Sequence, residues 1–147
     1  RMQVAPPVRR GALREGLEEA FPWEKCFLVV ACSADKDVPA MLEPLADTVK
    51  VQRRAGSTPA DVVLTFSESV AQLEARLPRA RTQVTTSGAI WVLWPKKSSE
   101  RFKSGARDLT EDVIRAHALT GGLVDVKVCA VDQTWSGLKL VRRLADR

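Results

Sequence analysis

The sequence predicts an α/β domain of three layers, with a mostly parallel sheet closed by an antiparallel C-terminal hairpin. Three observations carry this expectation. Apolar runs of strand length alternate with segments of helical spacing, the pattern of helices packed on a sheet. The central runs, such as Cys26–Cys32 and Gly88–Trp94, are apolar almost throughout, as strands covered on both faces are. The last two apolar runs are separated only by the turn residues 132–137, far fewer than a crossover between parallel strands needs.

Taken in order, residues 1–10 read as an irregular arm, because Pro6-Pro7 cannot extend a helix and Arg9-Arg10 stay in water. Residues 11–147 read as a single domain, a normal size for 147 residues. Leu13 and Leu17 share a helical face within 11–20, and Pro22 ends that segment. The first strand is Cys26–Cys32, followed by helical spacing over 38–47 (Val38, Met41, Leu42, Leu45) and a strand at 48–52. Residues 55–59 are turn chemistry, and a third strand runs Asp61–Phe66. A helix is expected from Ser67, its cap, to Leu77, with Val70, Leu73 and Leu77 inward and Pro78 as its stop. The strand Gly88–Trp94 ends at Pro95 and opens into a loop over 96–107. Asp108 is the expected N-cap of the next helix, with Glu111 three residues on and Val113, Ala116 and Leu119 on its inner face. Gly121-Gly122 ends it, and the hairpin 124–141 follows.

Composition narrows the functional classes. The chain is 45% apolar and 28% charged, as soluble globular domains are. Its longest apolar run is strand-sized, and the first residues lack the apolar region of a secretory signal, so no membrane association is expected. Three cysteines cannot all pair with one another, which points to a reducing, cytoplasmic setting. The net charge of +5 is concentrated after residue 50, and densest at Lys96, Lys97, Arg101, Lys103 and Arg107. Such a patch attracts phosphates or an acidic partner, although a charge run is most often a solvated loop.

In a doubly wound sheet, ligands meet the carboxyl ends of the strands. The segments placed there are 33–37, Arg53-Arg54, 67–69 and 95–99. A nucleotide site of the common kind needs glycines after the first strand, so that backbone can touch phosphate or ribose. None occurs between Cys26 and Ala55, and the second strand runs into Arg53 and Arg54 where an acid for ribose is expected. No cofactor is therefore expected. No metal is expected either: Cys26 and Cys32 lie roughly 20 Å apart if both sit on one strand, too far for one zinc. His117 is the single histidine and has no nucleophile elbow to serve, so it reads as structural.

Two segments stand out as candidate binding surfaces. Lys96, Lys97, Ser98 and Ser99 bring two ammonium groups and two hydroxyls to the carboxyl end of a buried strand, a set that suits a phosphate, a carboxylate or an acidic peptide. Asp132, Thr134, Trp135 and Ser136 form the second, with Trp135 as a stacking or docking surface. The simpler alternative is a hairpin turn in which Asp132 caps local amides and Trp135 folds onto the sheet.

The segments 90–99, 108–115 and 122–143, with their Trp-Pro-Lys-Lys-Ser-Ser, Asp-Leu-Thr-Glu-Asp-Val-Ile-Arg and Val-Cys-Ala-Val-Asp-Gln-Thr-Trp-Ser-Gly runs, resemble a family of small bacterial proteins of unknown function. The likeness is close over 88–143. It implies a cytoplasmic bacterial protein with the fold above and brings no known activity. In element order alone the chain is similar to methyltransferase-like, Rossmann-like domains, which licenses a fold and not a reaction. The leading expectation is a non-catalytic binding or protein-interaction module on a degenerate scaffold of that kind, taking a protein partner or a small anionic ligand. One alternative is an anion-binding enzyme using Lys96, Lys97 and Asp132. A second is nucleic-acid binding through the basic 96–107 patch, against which stand the absence of a nucleic-acid motif and an aromatic content of only 5%.

Overall fold

The computed structural model describes residues 28–32, 50–52, 56–131 and 133–146. The arm 1–10, the helices expected over 11–20 and 38–47, and the 33–37 and Arg53-Arg54 segments lie outside the described residues.

Six strands form one mixed sheet in the order β2-β1-β3-β4-β6-β5. They are β1 (Leu28–Cys32), β2 (Lys50–Gln52), β3 (Ala60–Phe66), β4 (Val84–Pro95), β5 (Leu123–Ala130) and β6 (Trp135–Arg142). β2, β1, β3 and β4 are mutually parallel, whereas β6 runs antiparallel between β4 and β5. The parallel part and the closing hairpin thus match expectation. The hairpin folds back so that its second strand lies inside and its first becomes the edge. Helices α1 (Val70–Gln83), α2 (Glu100–Ser104) and α3 (Glu111–Thr120) join the later strands. None of the helices among the described residues is long and apolar enough to cross a membrane.

One face of the sheet meets α1 and α3 in a common core. Val63, Ile90, Val92, Leu138 and Leu140 from the strands pack against Leu73, Leu77, Ile114 and Ala118 from the helices. Side chains alternate across a strand, so Trp91, between Ile90 and Val92, points to the other face and is fully buried there.

The structure corrects several local expectations. Ser69, not Ser67, caps α1: its hydroxyl accepts from the Gln72 N–H at 3.1 Å. Ser67 is buried, and its N–H donates to the Leu93 carbonyl at 2.9 Å. Pro78 does not stop α1 but sits inside it. It lies on the exposed side of the helix, and its missing N–H is the one that would have served the Glu74 carbonyl. β4 begins at Val84, ahead of the expected Gly88. The loop 96–107 contains the short α2. Asp108 is not the cap of α3, which belongs to Thr110, accepting from the Val113 N–H at 3.4 Å. Asp108 instead accepts from the Val70 N–H at 3.1 Å, tying the α2–α3 connection to the first turn of α1. The inner face of α3 is Ile114 and Ala118 with Val113 partly buried, while Ala116 is exposed and Leu119 is 46% exposed. That rotation brings Arg115 to Asp125 on β5, at 3.0 Å.

Candidate functional site: a cleft at the carboxyl end of β4

β4 ends at Trp94-Pro95, in register with Ser136 and Trp135 at the start of β6. Parallel and antiparallel pairing meet here, and the chain leaves β4 over the sheet's end. The N-terminus of α3 closes the third side. Between them lies a cleft of about 400 Å³ lined by Trp94, Lys96, Lys97, Leu109, Thr110, Glu111, Asp112 and Ser136.

The loop that carries the lysines is fixed by its own backbone. The Lys96 N–H donates to the Thr134 carbonyl at 2.7 Å, joining β4 to the hairpin turn. The Lys96 carbonyl accepts from the Ser99 N–H at 2.9 Å and from the Ser99 hydroxyl at 2.6 Å. Ser99 Oγ also accepts from the Phe102 N–H at 3.2 Å, as the N-cap of α2. Ser99 is therefore buried and committed to the turn, whereas Ser98 and Lys97 are exposed and Lys96 is half-buried. Neither ammonium group takes part in an ion pair among the described residues.

The opposite wall carries three carboxylates gathered by one arginine. Arg115 bonds Glu111 Oε2 at 2.8 Å, Asp112 Oδ1 at 3.1 Å and Asp125 Oδ2 at 3.0 Å. Hydrogen bonds to Glu111 and then Asp125 hold the guanidinium well above its ordinary pKa. The cleft thus sets two lysines opposite a wall on which one arginine holds three carboxylates in place.

Strand alternation divides the second candidate segment. Ser136 faces the cleft, while Trp135 turns to the other side of β6 and is buried against Phe66, with ring centroids 5.0 Å apart and planes at 84°. The Arg101 guanidinium lies 5.1 Å from the Trp135 ring and 3.8 Å from Glu68, so α2 is held down over this indole. Thr134 is half-buried. Asp132 lies outside the described residues.

Of the residues singled out in sequence, the cleft unites Lys96, Lys97 and Ser136, with Ser98 and Ser99 in the loop behind. It adds Trp94, Leu109, Thr110, Glu111 and Asp112, which sequence reading left as strand end and helix start. Their signal was present in the Asp-Leu-Thr-Glu-Asp run, but nothing local says which loop a helix terminus will face. Elsewhere, His117 bridges helices, its Nδ1 3.0 Å from the Val113 carbonyl and its Nε2 3.3 Å from Glu74. Cys32 and Cys129 lie on β1 and β5, four strand spacings of about 4.8 Å apart, too far for a shared metal. Burial raises the Cys129 thiol pKa.

Comparison with known proteins places this architecture. The family model described as Protein of unknown function (DUF3052) matches residues 32–144. No curated protein matches. Among solved structures, the chain is similar to the pyocyanin biosynthetic protein PhzM, with a TM-score of 0.67 at 12% identity over 90% of this chain and 55% of that one. It is similar to the O-methyltransferase NcsB1 from neocarzinostatin biosynthesis, in complex with S-adenosylmethionine, with a TM-score of 0.61 at 11% identity over 88% of this chain and 53% of that one. It is also similar to a putative type 11 methyltransferase from Sulfolobus solfataricus, with a TM-score of 0.57 at 15% identity over 88% of this chain and 94% of that one. At these identities the likeness shows a methyltransferase-like fold. The chain spans about half the length of PhzM and NcsB1.

Proposed function

We propose that this chain, which belongs to the DUF3052 family, is a non-catalytic binding module on a methyltransferase-like scaffold, and that it takes an anionic group, carboxylate or phosphate, in the cleft at the end of β4. One observation carries the reading: two lysines without ion pairs among the described residues stand on a rigid turn beside a cleft of ligand size. Lys96 is half-buried beside the buried Trp94, which strengthens the attraction of its ammonium for an anion relative to the exposed Lys97. Braced carboxylates opposite disfavour a polyanion such as nucleic acid, which would lie against Glu111 and Asp112 along its length.

S-adenosylmethionine, which NcsB1 holds, is not proposed for this chain. β1 leads into Ser33-Ala-Asp-Lys-Asp37, with no glycine to bring backbone against a ribose, and β2 leads into two arginines where an acid would grip the hydroxyls. Nothing here supplies a nucleophile paired with a base, so binding rather than turnover is the chemistry the cleft supports.

Thermal-shift titration with citrate and inorganic phosphate tests the reading. A ligand at 100 times its Kd stabilises the native state by about 2.7 kcal/mol. A rise in Tm that disappears in the Lys96→Ala/Lys97→Ala double variant is the expected outcome. Unchanged Tm in the parent protein across the titration would remove the cleft from consideration.

A further inference from the structure

We infer that the β4-end cleft takes a small zwitterion, with its carboxylate at Lys96 and Lys97, its ammonium at Glu111 and Asp112, and a short apolar chain between them. This deepens the anion reading above and rests on it for the end that the lysines hold.

The cleft is lined by charge of both signs. Arg115 is one cation among Glu111, Asp112 and Asp125, so that side keeps two negative charges in excess. The N-terminal dipole of α3 offsets roughly half an elementary charge of this and leaves the side negative. Lys96 and Lys97 supply two positive charges across from it. The two sides do not neutralise each other, because neither lysine forms an ion pair with either carboxylate. An anion held by the lysines therefore turns its far end toward carboxylates. A second negative charge there is repelled, whereas an ammonium is attracted.

The carboxylates are built to receive one. Arg115 takes a single oxygen of each, Glu111 Oε2 at 2.8 Å and Asp112 Oδ1 at 3.1 Å. Glu111 Oε1 and Asp112 Oδ2 have no hydrogen bond among the described residues. A carboxylate already fixed through one oxygen loses little freedom when the other accepts from an ammonium. The half-buried Ser136 hydroxyl is likewise unbonded among the described residues and offers a further polar contact.

Between the charges the lining is apolar. Trp94 stands two residues before Lys96, and Leu109 two residues before Glu111. Both are buried and share one core cluster, so the floor from which the charged sides rise suits methylene groups. An α-amino acid carries both charges on one carbon and leaves no methylene for that floor. The class that matches charge, floor and charge is an ω-amino carboxylate.

The experiment is calorimetric titration of the full chain, at fixed ionic strength, with ε-aminocaproate and its single-charge analogues hexanoate and hexylamine. ε-Aminocaproate is expected to bind at least about ten-fold more tightly than either analogue. Glu111→Gln/Asp112→Asn removes the charge but keeps an oxygen for Arg115 at each position. It should abolish that advantage while the affinity for hexanoate holds or rises. The Asp112 side chain is 94% exposed, so Asp112→Asn alone folds as the parent does and should give a partial loss of about two- to three-fold. Equal affinity for hexanoate and ε-aminocaproate in the parent protein would overturn the proposal. So would an advantage unchanged in the double carboxylate variant, or binding that survives Lys96→Ala/Lys97→Ala. The citrate and phosphate titrations separate the two readings. If those anions raise Tm while ε-aminocaproate gains nothing over hexanoate, the zwitterion falls and the anion site stands; if none of them binds, both fall.

Discussion

A methyl group at Gly88 would lie 2.5 Å from the Asp61 carbonyl oxygen and 2.7 Å from the Val84 side chain. The cause is local: Ala60 pairs with Val84 and Val62 with Ala89, so four residues of β4 bulge against one of β3. Gly88→Ala must push backbone aside and is expected to cost about 1–3 kcal/mol, read from urea denaturation midpoints. Trp135→Ala empties a buried aromatic site under Arg101 and should cost about 3–5 kcal/mol by the same measurement. Lys139 lies directly opposite Lys127, and burial, then that neighbour, lower its pKa below the usual lysine range. The native state then binds fewer protons than the unfolded chain, so this residue's contribution to stability grows as pH rises through the lowered pKa and levels off above the usual lysine value. Lys139→Met should flatten that alkaline rise in the urea midpoint, and an unchanged slope would show that Lys139 does not cause it. Side-chain roles were only partly legible in sequence. The acid at 108 announces a helix start, yet it serves the start of α1, thirty-eight positions earlier, because folding brings that N–H closer than its own helix does.

At the level of elements, hydrophobic period and turn chemistry located every described strand and helix except the short α2 and the 3-10 turn Leu144–Asp146, and erred mainly at boundaries. Pro78 illustrates why. A proline forbids one helical hydrogen bond, but Leu73, Leu77 and Ala80 all reach the core only if α1 continues past it. Burial of those side chains outweighs the lost bond. Pro78→Ala should restore the bond and raise stability by about 1–3 kcal/mol, part of the helix gain being offset by the freer unfolded chain. Thermal denaturation checks this, and an unchanged or lower Tm would show that the ring packs favourably. Ser69→Ala removes the α1 cap and should cost about 1 kcal/mol. The amphipathic period of α3 was readable, but its phase was not, since burial of Ile114 and Ala118 in the shared core sets the rotation and Arg115 meets Asp125 as a result.

On the scale of the molecule, the sheet is deepest at β3 and β4 and thinnest at β2 and β5, its two edges. Amide exchange should follow this order, slowest in Val63–Thr65 and Ile90–Leu93 and fastest in β2 and along the outward amides of β5. Protection of Val128 and Ala130 equal to that of β4 would mean the β5 edge is covered. The sequence by itself determined the succession of the described strands and helices and the closing hairpin, because periodicity, caps and turns are contests among residues a few positions apart. Only the tertiary structure decided that the start of α3 faces Lys96 and Lys97, that Trp135 and Ser136 part to opposite faces, and that β5 rather than β6 is the edge. Those choices rest on packing between segments far apart in the chain, where many partners of equal hydrophobicity compete and only the assembled core discriminates among them.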